Sequence, residues 1–400
     1  MRPWQVFLLI LVLAFFAVSS AWKVLYVLTY VLLVMFVLSW IWTRFSLRQM
    51  VFRRNSSVGR VQVGEMFDEE LMLDNLSAMP KLWVQIADGS TLPGHWAGYV
   101  ASMGGRKRAR WRARSICRQR GRFQLGPVMA MSGDPFGLFR RHIVLAPARE
   151  VMVLPRVYPL SNFTLFTGGL PGRGKHSRRA LQTTTTPTTI REYVSGDALS
   201  RIHWRSSAHY NKLMVKEFDL DPAVDAWIFL DLHEAVQAGE GEESTEEYAV
   251  TIAATLATYL LQQDFSLGMI VNGERREVLS LDRGERQIER VLELLAVVTA
   301  GPGPELKEAL AMDSFHFGRN TVAIVITPAN SQDWHESLRH LKLRGVQTAV
   351  IGLDAASFEE QPPDEDTFAL LEGSGIPVIH VRSGEAISQL LETGSTMRSR

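Results

Sequence analysis

Ala226-Trp227-Ile228-Phe229-Leu230-Asp231-Leu232-His233-Glu234-Ala235 is the stretch on which the reading of the C-terminal half turns. Its five leading apolar residues fit a strand covered on both faces, the environment of a parallel sheet. The downstream segments keep the same grammar. Ala249, Ile252, Ala253, Leu256 and Leu260 recur at helical spacing between Glu246 and Gln263, Leu267 to Val271 is a second apolar run, and Gln287 to Val298 is again helical. Val322 to Ile326, Val346 to Ile351 and Val378 to Val381 read as further strands, with helices near Gln332–Leu343 and Thr367–Leu371 between them. Buried strands alternating with amphipathic helices predict a doubly wound α/β domain over residues 223–400, with its site at the carboxyl ends of the strands.

Upstream, the period changes. From Ser56 to about Val153 short alternating segments such as Arg60-Val61-Gln62-Val63 and Lys81-Leu82-Trp83-Val84-Gln85-Ile86 are punctuated by Gly59, Gly64, Pro80, Asp88-Gly89 and Pro93-Gly94. Alternation at period two predicts an all-β sandwich of the immunoglobulin or fibronectin kind over residues 46–155. Within it, a strand would set Arg106, Arg108, Arg110, Arg112 and Arg114 on one face as a cationic stripe running on toward Arg122. A solvated sheet face, docking on anionic lipid and nucleic-acid binding all remain open for it, the last supported by Trp111 but by no recognition motif.

The N-terminus is apolar twice over. Trp4 to Trp22 and Val24 to Trp42 are 19 residues each, separated by Lys23, and that length at about 1.5 Å per residue spans a hydrocarbon core. So short a turn predicts a transmembrane helical hairpin over residues 1–45. Arg2 precedes it and Arg44, Arg48, Arg53, Arg54 and Arg60 follow, with no acidic residue before Glu65. The positive-inside rule then expects a two-pass inner-membrane protein with its body in the cytoplasm. A cleaved signal peptide ending near Ser19 and Ala21 is the competing reading. Charge over the whole chain is balanced, 43 Lys+Arg against 42 Asp+Glu, so the chain as a whole advertises no polyanionic partner. One cysteine, Cys117, excludes an internal disulfide framework and reads as a small buried residue.

Between the two domains, residues 156–222 divide into a Gly-, Pro- and Thr-rich stretch, Thr167 to Ile190, which reads as exposed linker, and a dense motif. The motif is Arg191-Glu192-Tyr193-Val194-Ser195-Gly196-Asp197-Ala198-Leu199-Ser200-Arg201-Ile202-His203-Trp204-Arg205-Ser206-Ser207-Ala208, followed by Leu213-Met214-Val215-Lys216-Glu217-Phe218. It resembles the signature of the bacterial domain-of-unknown-function-58 family. Gly121-Arg122-Phe123-Gln124-Leu125-Gly126-Pro127 and Asp134-Pro135-Phe136-Gly137-Leu138-Phe139 resemble that family's upstream motifs. The resemblance implies a membrane-anchored, non-enzymatic adaptor or scaffold working with a MoxR-type AAA+ ATPase, and with a transglutaminase-like membrane protein, in the assembly or maturation of other proteins. It implies no cofactor.

Physically, Gly196-Asp197 is a turn signal, and Asp197 with Arg191, Arg201 and Arg205 can form a charge-assisted network with Trp204 as its apolar anchor. Arg191, Tyr193, Gly196, Asp197, Arg201, Trp204 and Lys216 are therefore the candidate protein-docking residues. An enzymatic alternative pairs Asp197 with His203 and takes Ser206 or Ser207 as nucleophile, a hydrolase-like arrangement with no nucleophile elbow or phosphate loop beside it. The α/β domain resembles the von Willebrand factor type A fold, whose metal site uses Asp-x-Ser-x-Ser with a later Thr and Asp. Asp231 matches the first position, but His233 and Ala235 stand for the serines, and Pro328 follows Thr327, so Asp231 and Thr327 form at most a degenerate site.

Overall fold

The computed structural model describes residues 3–20, 22–56, 59–161, 163, 189–194, 202–217, 225–318, 321–359 and 367–393. The chain divides into two compact units, Met1–Arg156 with Leu295–Val297, and Val157–Leu294 with Val298–Arg400.

The first unit opens on two helices, α1 (Pro3–Ser20) and α2 (Lys23–Ser46), both long and apolar enough to cross a membrane. They leave Phe15, Val18, Val24 and Tyr30 mostly exposed, as lipid-facing side chains would be. Ten strands follow among the described residues: β1 (Met50–Ser56), β2 (Arg60–Gln62), β3 (Met66–Asn75), β4 (Lys81–Asp88), β5 (Tyr99–Met103), β6 (Arg108–Ile116), β7 (Gly121–Leu125), β8 (Val128–Gly133), β9 (Arg140–Ala146) and β10 (Arg149–Leu154). They form sheets ordered β1-β3-β6, β5-β4-β8-β9 and β2-β10-β7. The expected period is visible in β3, where Phe67, Glu69, Leu71 and Leu73 are buried in alternation. Leu73, Val84, Ile86, Val128 and Ala130 make one core of the sandwich, and Phe67, Cys117, Leu125, Val151 and Val153 another. Burial and the nearby Glu65 push the Cys117 thiol up, as fits an inert core residue.

The cationic stripe is shorter than its spacing predicts, and two of its arginines, Arg108 and Arg114, are paired with carboxylates. Arg106 lies in the turn before β6 with φ +54°, so it leaves the strand face. Across the ladder β3 sets Asp74 opposite Arg108, Glu70 opposite Arg112 and Asp68 opposite Arg114. Arg114 pairs with Asp68 at 3.2 Å and Arg108 pairs with Asp74. Cross-strand pairs of this kind are the ordinary dressing of a solvated sheet.

In the second unit, β11 (Thr189–Glu192) pairs antiparallel with β12 (Met214–Glu217) across α3 (Trp204–Tyr210). Thr189 and Ile190, the end of the expected linker, are thus strand residues; 164–188 lie outside the described residues. Next come β13 (Asp225–Asp231), α4 (Thr245–Gln262), β14 (Ser266–Asn272), β15 (Arg276–Asp282), α5 (Glu285–Val297), α6 (Leu306–Asp313), β16 (Thr321–Thr327), α7 (His335–Leu343), β17 (Gln347–Leu353), α8 (Ala355–Phe358), α9 (Thr367–Gly373), β18 (Val378–Val381) and α10 (Ile387–Thr393). They build a six-stranded sheet ordered β15-β14-β13-β16-β17-β18, parallel except for the edge strand β15. β13 is buried from Ala226 to Asp231 because both faces and both edges are covered. The chain leaves it toward β14 on one side and returns to β16 on the other, which makes the β13/β16 crevice the topological switch point.

Candidate functional site

Three adjacent strands end at that crevice and each contributes a polar side chain. Asp231 closes β13, Thr327 closes β16 and Asn272 closes β14. Thr327 Oγ1 donates to Asp231 Oδ2 at 2.7 Å, while Asn272 Nδ2 and the His233 backbone N–H donate to Asp231 Oδ1 at 3.2 and 3.3 Å. Asn272 Nδ2 also donates to the Pro304 carbonyl at 2.9 Å. His233 bridges to Gly301, whose position leaves no space for a side chain, since a Cβ there would meet Glu274 at 2.4 Å. All three polar residues are fully buried. Burial pushes the Asp231 carboxyl up, and the hydrogen bonds from Thr327, His233 and Asn272 act against that rise without overcoming it.

This arrangement does not fit a divalent cation. Magnesium wants about six oxygen ligands in open octahedral geometry. Here the carboxylate and hydroxyl are bonded to each other, and the third polar side chain turned to them presents a donor amide rather than an oxygen ligand. Sequence reasoning found Asp231 and Thr327 but missed Asn272; the signal was a lone Asn ending an apolar run, Leu267 to Val271, at the same level as Asp231.

The signature element is built differently from its expectation. Arg191 and Lys216 lie on the paired strands, with Arg191 opposite Val215 and Ile190 opposite Lys216. Tyr193 N–H donates to the Leu213 carbonyl at 2.8 Å, and His203 N–H to the Met214 carbonyl at 2.8 Å. Gly196, Asp197 and Arg201 lie outside the described residues, and with them the proposed Asp197 network. Trp204 is no buried anchor: it opens a two-turn helix that buries none of its residues, and it is 68% exposed. His203 is the helix N-cap, its Nδ1 lying 2.7 Å from Ser206 Oγ and accepting from Ser206 N at 3.3 Å. Ser207 Oγ donates to the His203 carbonyl at 3.0 Å and accepts from Met214 N at 2.9 Å, so it ties α3 to β12.

Both upstream motifs also have structural places. Gly126 N donates to Ser90 Oγ at 3.1 Å, and Ser90 in turn donates to Asp88 Oδ2 at 2.6 Å. Asp134–Phe139 forms the β8–β9 tip: the Asp134 carboxylate accepts from Phe136 N at 2.9 Å and from Phe139 N at 2.6 Å.

Comparison with solved structures returns a von Willebrand factor type A protein from Catenulispora acidiphila, 12% identical, covering 43% of this chain and 42% of that one with a TM-score of 0.29. It also returns the CARDB domain of the PF1109 protein from Pyrococcus furiosus, 13% identical, covering 26% of this chain and 91% of that one with a TM-score of 0.20. Among curated sequences, the Bacillus subtilis protein described as "Uncharacterized protein YeaD" is 21% identical over 186 residues, 44% of this chain. The match spans 43% of that relative's own length. Residues 189–367, from the first strand of the signature element to the start of α9, match the family described as "Protein of unknown function DUF58", the family that the signature resembles.

Proposed function

We propose that the protein is a membrane-tethered, non-enzymatic adaptor that docks a MoxR-type AAA+ ATPase through the signature element, with its body on the cytoplasmic side of the inner membrane. One observation carries this reading. The two-stranded ladder and α3 leave Val194, Trp204, Tyr210 and Leu213 between 44% and 68% exposed in a stretch of about twenty residues. Tryptophan and tyrosine dominate binding hot spots because they bury large area at small entropic cost. The closed Asp231 site argues the same way, since it offers a ligand neither an open coordination position nor an exposed carboxylate.

Full-length protein in mild detergent, used as bait on membrane extracts with and without ATP, is expected to recover an AAA+ ATPase in a nucleotide-dependent manner. Trp204→Ala should weaken that capture roughly tenfold or more, the size of a hot-spot truncation. Folded bait that recovers no ATPase overturns the partner, and full affinity in Trp204→Ala overturns the surface.

The 2.7 Å approach of His203 Nδ1 to Ser206 Oγ favours a second reading, a hydrolase-like site. An i, i+3 contact at a helix start is fully accounted for as a cap. Covalent labelling of Ser206 by an activity-based serine probe, abolished in His203→Ala, would establish the enzymatic reading in its place.

A further inference from the structure

The β8–β9 tip packs against both N-terminal helices. Leu138 packs with Val6 and Ile10 of α1, and Leu32, Met35, Phe36 and Phe139 close around them. The Phe36 and Phe139 rings meet at 5.2 Å, and Phe7 lies 6.0 Å from Phe36 on the other side. These contacts fall on the apolar side of Trp4 and Trp40, the two exposed tryptophans that mark the interfacial level of the helices near the body. Phe36 is ten residues before the end of α2 at Ser46, about 15 Å at the helical rise.

From this juxtaposition we infer that the Asp134–Phe139 tip is an intramembrane wedge, seated in the leaflet next to the body with Phe136 in the acyl region. The inference rests on α1 and α2 crossing the bilayer. Three features of the tip suit it to lipid. Phe136 is 60% exposed although it adjoins the helix contact, and Trp83, which lies against Gly133 at the tip's base, is 39% exposed. Three backbone donors of the turn are satisfied within it, Phe136 N and Phe139 N by the Asp134 carboxylate and Gly137 N by the Asp134 carbonyl, which lowers the cost of bringing non-helical backbone toward the acyl region. Asp134 itself is 8% exposed, so the carboxylate is screened by the turn it organises. Directly behind the tip come Arg140 and Arg141, and Arg141 donates to the Arg44 carbonyl at 2.7 Å, a basic ring at headgroup level.

The test uses full-length protein in a Cys117→Ala background, reconstituted into phosphatidylcholine vesicles, with one cysteine at a time carrying an environment-sensitive fluorophore. Val34→Cys on α2 reports the helices, Phe136→Cys the tip, and Gln119→Cys the end of the sandwich beyond β6, remote from α2. Doxyl-labelled lipid is expected to quench the Val34 and Phe136 sites and not the Gln119 site, with loss of Phe136→Cys labelling by a membrane-impermeant maleimide. Quenching at Val34 with an unquenched, freely labelled Phe136→Cys overturns the wedge and leaves the anchor standing. An unquenched Val34→Cys in folded protein overturns both. Because Phe136 is mostly exposed, its substitution does not open the core.

Discussion

Arg54, Glu69, Asp88 and His95 meet inside the sandwich, all with side chains no more than 5% exposed. Arg54 reaches Asp88 at 2.6 Å and Glu69 at 3.3 Å, and His95 Nε2 lies 3.3 Å from Glu69 and 3.5 Å from Asp88. His95 Nδ1 is 2.8 Å from Ser115 Oγ. Burial disfavours the charged imidazole, but its pairing with the Asp88 and Glu69 carboxylates outweighs that and raises it from 6.5 to about 9. Burial also works against the Asp88 carboxylate, and His95, Ser90 and Arg54 together hold it below its ordinary range. The folded state therefore keeps a proton on His95 that the unfolded chain releases near 6.5. The resulting stability is complete below that pH and is lost as pH rises through about 9. Exchange protection of the sandwich amides is expected to fall across that window, and His95→Gln should flatten the fall while costing about 3–5 kcal/mol at neutral pH, as breaking a buried pair does. At Asp231 the expectation is of the same kind. Asp231→Ala leaves without acceptors the Thr327 hydroxyl proton, the His233 N–H and one N–H of the Asn272 amide, whose other N–H stays on the Pro304 carbonyl, and should destabilise the α/β domain by several kcal/mol, on the order of 1–3 per group. Adding magnesium to the native protein should leave Tm unchanged, whereas an ion at about a hundred times its Kd would add about 2.7 kcal/mol.

At the scale of elements, the junction of α2 with the sandwich is the most consequential. The last carbonyls of a helix lack partners and carry its negative pole. Lys81, 2% exposed at the start of β4, donates from Nζ to the Phe45 carbonyl at 2.8 Å. Burial holds its ammonium below the usual lysine range. Lys81→Met fills the volume but removes the charged donor and leaves that carbonyl only backbone donors such as the Arg48 N–H at 3.2 Å, and is expected to cost about 1–3 kcal/mol, the size of a lost charge-assisted hydrogen bond, read as a lower urea midpoint in detergent. Nothing in the sequence singled Lys81 out, because a lysine opening an alternating strand reads as solvated. Legibility elsewhere followed the same division. Where one period governs a long segment, as in α1, α2, β13, α4 and β16, the apolar pattern located the element to within a few residues. Where partners are distant in sequence it did not. The acidic residues of β3 that face the arginines, the antiparallel edge β15, and Asn272 beside Asp231 depend on register, which composition does not carry. The signature residues were legible as a motif, yet the exposure of Trp204 was not, since a tryptophan among charges reads as an anchor until a seven-residue helix is seen to bury nothing.

At the scale of the whole chain, the two units differ in how much they depend on the N-terminal helices. The α/β unit has a core of its own, in which Trp227, Phe229, Ile270, Val325, Trp334 and Val350 are closed by α6, α7 and α9. A fragment of residues 157–400 should therefore be soluble, monodisperse and cooperatively folded without detergent. The sandwich unit has given part of its surface to the helices: Leu138 and Phe139 pack on α1 and α2, Lys81 and Arg141 cap α2, and Leu47, the residue that ends it, is buried in the main core. A fragment of residues 47–400 would expose those apolar groups together with the Phe136 tip, and would leave a buried lysine with no acceptor. Size-exclusion chromatography of the two fragments, with and without detergent, separates the outcomes. Aggregation of 47–400 relieved by detergent, beside a well-behaved 157–400, is expected if the anchor is part of the sandwich's fold. Equal behaviour in plain buffer would mean that the helices only tether a body already complete without them.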